Sequence, residues 1–268
     1  GNHTPLLGSS GLRLERYPYY DTATGALRFE AMLERLDRLP AGDVVLIHAC
    51  CHNPTGADLD PAQWQALVEL LQRRRLVPFL DLAYQGFAAG LDADAAGLRL
   101  LTEQVPESLI AISYSKNLGL YRERVGALIA IGENPTRADA MLSHVLQIAR
   151  GMYSMPPDHG AAIAAHIFGN AALKQEWIGE LDGMRTRIAD MRTLLALELG
   201  RATGAGTFDF IRTQHGMFSL LGISREVVER LRDRHHIYMI PDSRMNLAGI
   251  MPQNASYVAA AIATERRG

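Results

Sequence analysis

Cysteine is almost missing: Cys50 and Cys51 are the two cysteines in 268 residues. Neighbouring side chains on a strand point to opposite faces, so this pair is poorly placed to share a metal or close a structural disulfide. With His52 it invites a zinc reading, but the spaced cysteine pairs of structural zinc sites are absent. Two unpaired thiols suit a reducing compartment, and a cytoplasmic location is expected. Long apolar runs are also lacking. Val44–Val45–Leu46–Ile47 is typical and falls far short of the about 20 residues that span a bilayer. Gly1–Thr4 shows no basic stretch followed by an apolar one, so no secretory signal is expected. Nor does one sign of charge dominate: 27 Lys and Arg face 29 Asp and Glu, for a formal net charge of −2. That balance gives no electrostatic reason to expect nucleic acid or an anionic membrane as partner. No internal repeat and no low-complexity linker is visible.

What remains is ordinary globular composition, 48% hydrophobic and 21% charged, with length for one large domain or two smaller ones. Asp43–Cys50 is a short apolar run between turn signals and reads as a buried strand. Asp60–Pro61 opens a helix, because Asp can cap free amides and Pro suits the first helical position. Trp64, Leu67, Val68, Leu70 and Leu71 give that helix its apolar stripe, and Arg73–Arg75 complement its C-terminal dipole. Strands are predicted at Leu76–Leu82, Leu109–Ser113 and Gly126–Ile131, with a helix at Ala95–Gln104. This alternation predicts an α/β layer around a mostly parallel sheet. Helical patterns then fill Arg137–Arg150, His159–Phe168 and about Ala171 to Leu199. Apolar runs at Met217–Leu221 and Ile237–Ile240 read as strands flanking a helix at Ser224–Arg234, and a last helix lies near Asn254–Glu265. The expected division is 1–170 for a large domain and 171–268 for a connecting helix with a smaller α+β domain.

Polar groups gather where the predicted strands end, the edge at which open α/β sheets bind ligands. His52–Gly56, Asp81–Tyr84 and Ser113–Lys116 are three such places, and Arg124 precedes the next strand. Singly, each has a bland explanation as a turn, a cap or a solvated loop. Together they form a coherent set for pyridoxal 5'-phosphate, which needs a lysine amine, a carboxylate for its pyridine nitrogen, and hydroxyls with a cation for its phosphate. Lys116 would supply the amine, and Asp81 would keep the ring nitrogen protonated by opposite charge.

The runs His52–Asn–Pro–Thr–Gly56, Asp81–Leu–Ala–Tyr–Gln–Gly–Phe87, Ser113–Tyr–Ser–Lys through Gly126, and Arg150–Gly–Met–Tyr–Ser–Met–Pro–Pro157 resemble the class I aminotransferases. The resemblance is to the aspartate and aromatic-amino-acid branch and extends to Gly216–Ser219 and Ser243–Gly249. It implies the fold-type-I architecture: a large α/β domain with a mostly parallel sheet, and a smaller α+β C-terminal domain. It also implies residue roles. Lys116 and Asp81 match the cofactor-bonding lysine and the ring-nitrogen partner, and Asn53 and Tyr84 match hydrogen-bond donors to the ring oxygen. Ser113, Ser115 and Arg124 match phosphate ligands. Arg244 matches the arginine that grips the substrate α-carboxylate. Arg150 matches one that reaches into a neighbouring subunit's site for a distal carboxylate, which implies a homodimer with shared sites. His3 and His48 match histidines near the ring-bound aspartate, and Phe218 an apolar wall beside the substrate. Ser115 equally serves to brace its loop, and Phe218 and His48 equally read as core.

The implied activity moves an amino group between aromatic amino acids, and aspartate, and 2-oxoglutarate, with amino acids and 2-oxo acids as the partners. A strict aspartate aminotransferase is the alternative, as is a catalytically inactive piece of such an enzyme. The resemblance begins about a third of the way along the family's length. The matching region therefore omits a glycine-rich phosphate segment and a ring-stacking tryptophan. Met155 stands where relatives carry a polar residue, which implies tolerance of apolar substrates.

Overall fold

The structure, a computed structural model, describes residues 3–267. Its first half contains α1 (His3–Gly8), β1 (Tyr20–Asp21), β2 (Ala26–Leu27), α2 (Phe29–Leu36), β3 (Val44–His48), α3 (Pro61–Arg74), β4 (Val77–Leu82), α4 (Ala96–Gln104), β5 (Ser108–Ser113) and β6 (Gly126–Ile131). Then follow α5 (Pro135–Tyr153), α6 (His159–Gly169), α7 (Ala171–Thr203), α8 (Phe210–Thr213), β7 (Phe218–Leu220), α9 (Arg225–His235), β8 (Arg244–Asn246) and α10 (Ala255–Arg267). Among the described residues no helix is long and apolar enough to cross a membrane.

The chain forms two compact units. The sheet unit comprises Leu39–Cys50 and Leu59–Arg185; the second unit comprises the residues up to Arg38, Cys51–Asp58, and those from Thr186 onward. This division differs from one at 170/171 in two ways. The early segment and the 51–58 loop belong with the C-terminal residues, because they hydrogen-bond there: Tyr20 to Gln214, for example, and Gly56 to His215. The change of unit also falls inside α7 rather than before it.

In the sheet unit the strand order is β3-β4-β5-β6. The first three strands are parallel, joined through α3 and α4, and β6 returns antiparallel to β5. The start of α3 is fixed by its own sequence: Asp60 accepts from the Gln63 backbone, the Gln63 side chain accepts from the Asp60 backbone, and Pro61 follows the cap. This is a capping box, which satisfies two otherwise orphaned amides. Trp64, Leu67, Val68, Leu70 and Leu71 are buried as the stripe predicts. Trp64 lies so close to α4 that a Cβ on Gly97 would sit 2.3 Å from its ring. Apolar burial fails at the other end of the unit. No residue of α5 is buried, and β6 leaves Leu128 and Ile129 exposed.

In the second unit β7 pairs antiparallel with β8. The strand predicted at Ile237–Ile240 is not there; the pairing residues are Arg244–Asn246. The helix α9 ends in a left-handed cap at His236, with the Ile237 amide closing onto Leu231. Pro241 follows, and Ser243 has φ of 68°. The chain is therefore still turning through the apolar run, and Tyr238 stays 77% exposed. The other predicted elements occur within a few residues of their expected bounds.

Candidate active site

Parallel strands end on one edge of their sheet, and an antiparallel neighbour begins there. His48 ends β3, Asp81 lies one residue before the end of β4, and Ser113 ends β5; Arg124 stands two residues before β6. The register places His48 opposite Asp81 and Ser113 opposite Gly126. Topology alone thus collects Asp81, Tyr84, Ser113, Ser115, Lys116 and Arg124 at one edge of the sheet unit.

Lys116 is half-buried, and its Nζ lies 4.7 Å from the centre of the Tyr84 ring, a cation–π contact. Burial lowers the proton affinity of this amine below the ordinary lysine value. The Asp81 carboxylate pulls it back up, and the Arg124 cation pushes it further down. Both groups are therefore within Coulombic reach of the amine. Tyr84 and Ser115 are buried, and the Ser115 amide donates to Ser113 Oγ at 3.2 Å. Arg124 is exposed, holds a left-handed backbone with φ of 53°, and donates from Nη1 to the Tyr121 carbonyl at 2.8 Å.

One contributor escaped sequence reasoning. The buried Asp94 carboxylate accepts four backbone amides, from Gly86 and Ala88 on Oδ2 and from Ala89 and Gly90 on Oδ1, at 2.7–3.2 Å. This ties down the loop that leaves Tyr84. The same loop meets the residue after Lys116, since Asn117 Nδ2 donates to the Gln85 carbonyl and Trp177 Nε1 donates to the Asn117 carbonyl. The available signal was the run Gly86–Gly90, which has no side-chain donor or acceptor of its own, with two acids, Asp92 and Asp94, close behind it.

In the second unit, Arg244 on β8 donates from Nη1 to Asn53 Oδ1 at 2.7 Å, and its guanidinium lies 4.7 Å over the Phe218 ring on β7. Phe218, Tyr238, Met239, Ile240, Arg244 and Asn246 line an open cleft of about 370 Å³. A planar cation that lines a cleft beside Phe218, Met239 and Ile240 is suited to a carboxylate attached to an apolar body. The loop bearing Asn53, whose peptide to Pro54 is cis, is braced internally. Asp58 accepts the Cys51 and His52 amides, His52 pairs with Thr55 Oγ1, and the Tyr19 ring stacks on His52 at 4.1 Å. Cys51 of this loop, like Cys50 at the end of a sheet-unit segment, is buried and outside any disulfide. His3 begins α1 in this unit. Arg150 lies in α5, exposed and outside both groupings, and Met155 beyond it is also exposed.

The family model described as aminotransferase class I and II matches residues 1–262. An aromatic-amino-acid aminotransferase of Pseudomonas aeruginosa is 44% identical over 261 residues, which cover 97% of this chain and 65% of that protein. An aspartate aminotransferase of Haemophilus influenzae is likewise 44% identical over 261 residues, 97% of this chain and 66% of that one. Among solved structures, an aromatic-amino-acid aminotransferase from Burkholderia pseudomallei, covalently bound to pyridoxal phosphate, matches with a TM-score of 0.95 at 42% identity. That match covers 98% of this chain and 66% of the other. The chain thus spans about 65% of the length of the curated relatives it resembles.

Proposed function

Because this chain belongs to the class I and II aminotransferases, we propose that its sheet edge holds pyridoxal phosphate and that the protein transfers amino groups from aromatic amino acids, and aspartate, to 2-oxoglutarate. The observation that carries this reading is the half-buried Lys116 amine, held over Tyr84 with lowered proton affinity and balanced between Asp81 and Arg124. The donor set fits the cofactor: an amine for the aldehyde, a carboxylate for the ring nitrogen, and two hydroxyls with a cation for the phosphate. When bound, the cofactor supplies an electron-withdrawing ring that lets the substrate α-carbon give up its proton.

The residues divide the remaining work. Asp81 holds a proton on the ring nitrogen by opposite charge, and Tyr84 and Asn53 hydrogen-bond the ring oxygen. Ser113, Ser115 and Arg124 anchor the phosphate by charge-assisted hydrogen bonds. Lys116, whose neutral form burial favours, takes the proton from the substrate α-carbon and returns it. Arg244 grips the α-carboxylate with its planar fork, and Phe218 backs it.

Arg150 serves a distal carboxylate in the site of a second subunit. Leu142, Leu146, Arg150 and Tyr153 follow helical spacing and share one face of α5, on which nothing is buried. A cation set in an exposed apolar stripe suits an interface, which supports a homodimer with shared sites. Cys50 and Cys51, buried and outside any disulfide, suit the reducing cytoplasm.

The test is chemical. The protein is mixed with pyridoxal phosphate, reduced with borohydride and mapped by mass spectrometry. One adduct on Lys116 is expected; no adduct, or an adduct on the other lysine, Lys174, overturns the reading.

A further inference from the structure

A heavily bonded side chain of the second unit lies outside the groups assigned above. Arg192, in the middle of α7, is 3% exposed. Its Nη1 donates to the Ile211 carbonyl at 3.2 Å and Ser219 Oγ at 2.8 Å. Its Nη2 donates among the carbonyls of His215, Gly216 and Phe218, and Nε also reaches Gly216. All of these acceptors belong to residues 211–219, the segment that runs into β7. A buried cation is costly unless its donors are all met, and here the fork is surrounded by acceptors. Burial lowers its pKa to about 10, so it remains charged at neutral pH.

The same guanidinium also faces the loop that carries Asn53. Gly56 has φ of 73°, and a Cβ there would lie 2.5 Å from the Phe218 carbonyl, 2.9 Å from that of His215 and 3.0 Å from Arg192 Nη2. The His215 amide donates to the Gly56 carbonyl at 2.7 Å. Arg192 therefore sits where the Asn53 loop meets the Phe218 strand. From that junction the contacts lead to Arg244, through the β7–β8 pairing of Leu220 with Arg244, the Phe218 ring and Asn53 Oδ1.

We propose that Arg192 is a positioning residue for substrate carboxylate binding: it touches no substrate, but it locks Phe218 and the Asn53 loop together and so sets the direction in which the Arg244 guanidinium points. The inference rests on the reading of Arg244 as the α-carboxylate clamp. Only an arginine suits the task. Lysine offers three donors from one point and cannot bridge carbonyls spread along the edge of a plane.

The test uses the cofactor-loaded protein with Arg192→Lys, and with Ser219→Ala as a milder variant that removes one acceptor of Arg192, together with the hydroxyl's donation to Gln214 Oε1, and keeps the buried charge. Two quantities are read: the split between KM and kcat for tyrosine, and the calorimetric affinity for 3-phenylpropionate, a carboxylic acid with no amino group. Arg192→Lys is expected to raise both KM and Kd about tenfold, the worth of one charge-assisted hydrogen bond. kcat should stay within about twofold, because Lys116 and Asp81 belong to the sheet unit, of which Arg192 is not part. Ser219→Ala should raise both constants about threefold, and this decides the matter if the lysine variant does not fold. Unchanged KM and Kd, or a fall in kcat alone, overturns the proposal. Arg244→Lys is the control. If it leaves KM unchanged, the clamp reading itself fails; if it raises KM while Arg192→Lys and Ser219→Ala do not, only the positioning role falls.

Discussion

The Lys116 ammonium nitrogen lies 4.7 Å from the centre of the Tyr84 ring, although 32 residues separate the two in sequence. Two adjacent parallel strands bring them together: Tyr84 leaves the end of β4, and Lys116 leaves the end of β5. The pairing has consequences for stability and for chemistry.

Burial lowers the pKa of Lys116 below its unfolded value. The folded state therefore binds fewer protons than the unfolded chain between the two values, and stability rises with pH across that window. Below that window the charged amine opposes folding. Replacing Lys116 with Met in cofactor-free protein is expected to raise the melting temperature, with the gain shrinking as pH rises through the window toward the unfolded value. The same change should abolish attachment of pyridoxal phosphate. Calorimetric melting across pH checks the first, and the absorption spectrum checks the second.

Asp94→Asn replaces one of two buried acceptor oxygens with a carboxamide NH2, a donor that faces amides already donating. A loss of about 2–4 kcal/mol in urea unfolding is expected, since hydrogen bonds to a charged group are worth about 1.5–3 kcal/mol each and a buried donor is left unmet. Hydrogen exchange at Gly86–Gly90 should accelerate more than exchange in α3. Uniform acceleration across the sheet unit would argue against a local role.

Gly97→Ala forces a methyl against the Trp64 ring between α3 and α4. Alanine is the better helix former, so propensity alone predicts stabilisation of about 1 kcal/mol. Overpacking of a close contact costs about 1–3 kcal/mol and is expected to win. Net destabilisation with a shifted tryptophan fluorescence spectrum is the expected result.

Arg150→Leu separates the two substrate classes. On the proposed reading of Arg150 it should lower kcat/KM for aspartate about 100-fold, a typical cost of leaving a desolvated carboxylate unpaired. Phenylalanine and tyrosine, which carry no distal carboxylate, should change no more than about threefold. The exposed Met155 beside this helix points the same way, toward wild-type efficiency on aromatic substrates at least equal to that on aspartate. A strong preference for aspartate in the unmodified enzyme would defeat that expectation.

Much of this protein could be read from local chemistry. Asp60, Pro61 and Gln63 specify where α3 begins, whatever it packs against, because a capping box is satisfied within four residues. Short apolar runs between turn residues marked the four strands of the main sheet, and polar residues at their ends marked Asp81, Ser113 and Lys116. Other features depend on distant partners and left no local trace. The run at Ile237–Ile240 has strand composition, yet β7 pairs with Arg244–Asn246, since pairing is settled by the cap at His236 and the turn beyond it. Asp94 looks like any acid near a helix start until the folded loop turns four amides toward it. Arg192 looks like one more cation on a charged helix until residues 211–219 close over it. Capping, turns and apolar rhythm act over a few residues and are written in order along the chain. The surroundings of a buried charge are assembled from segments far apart in sequence, so its role exists only once the chain has folded.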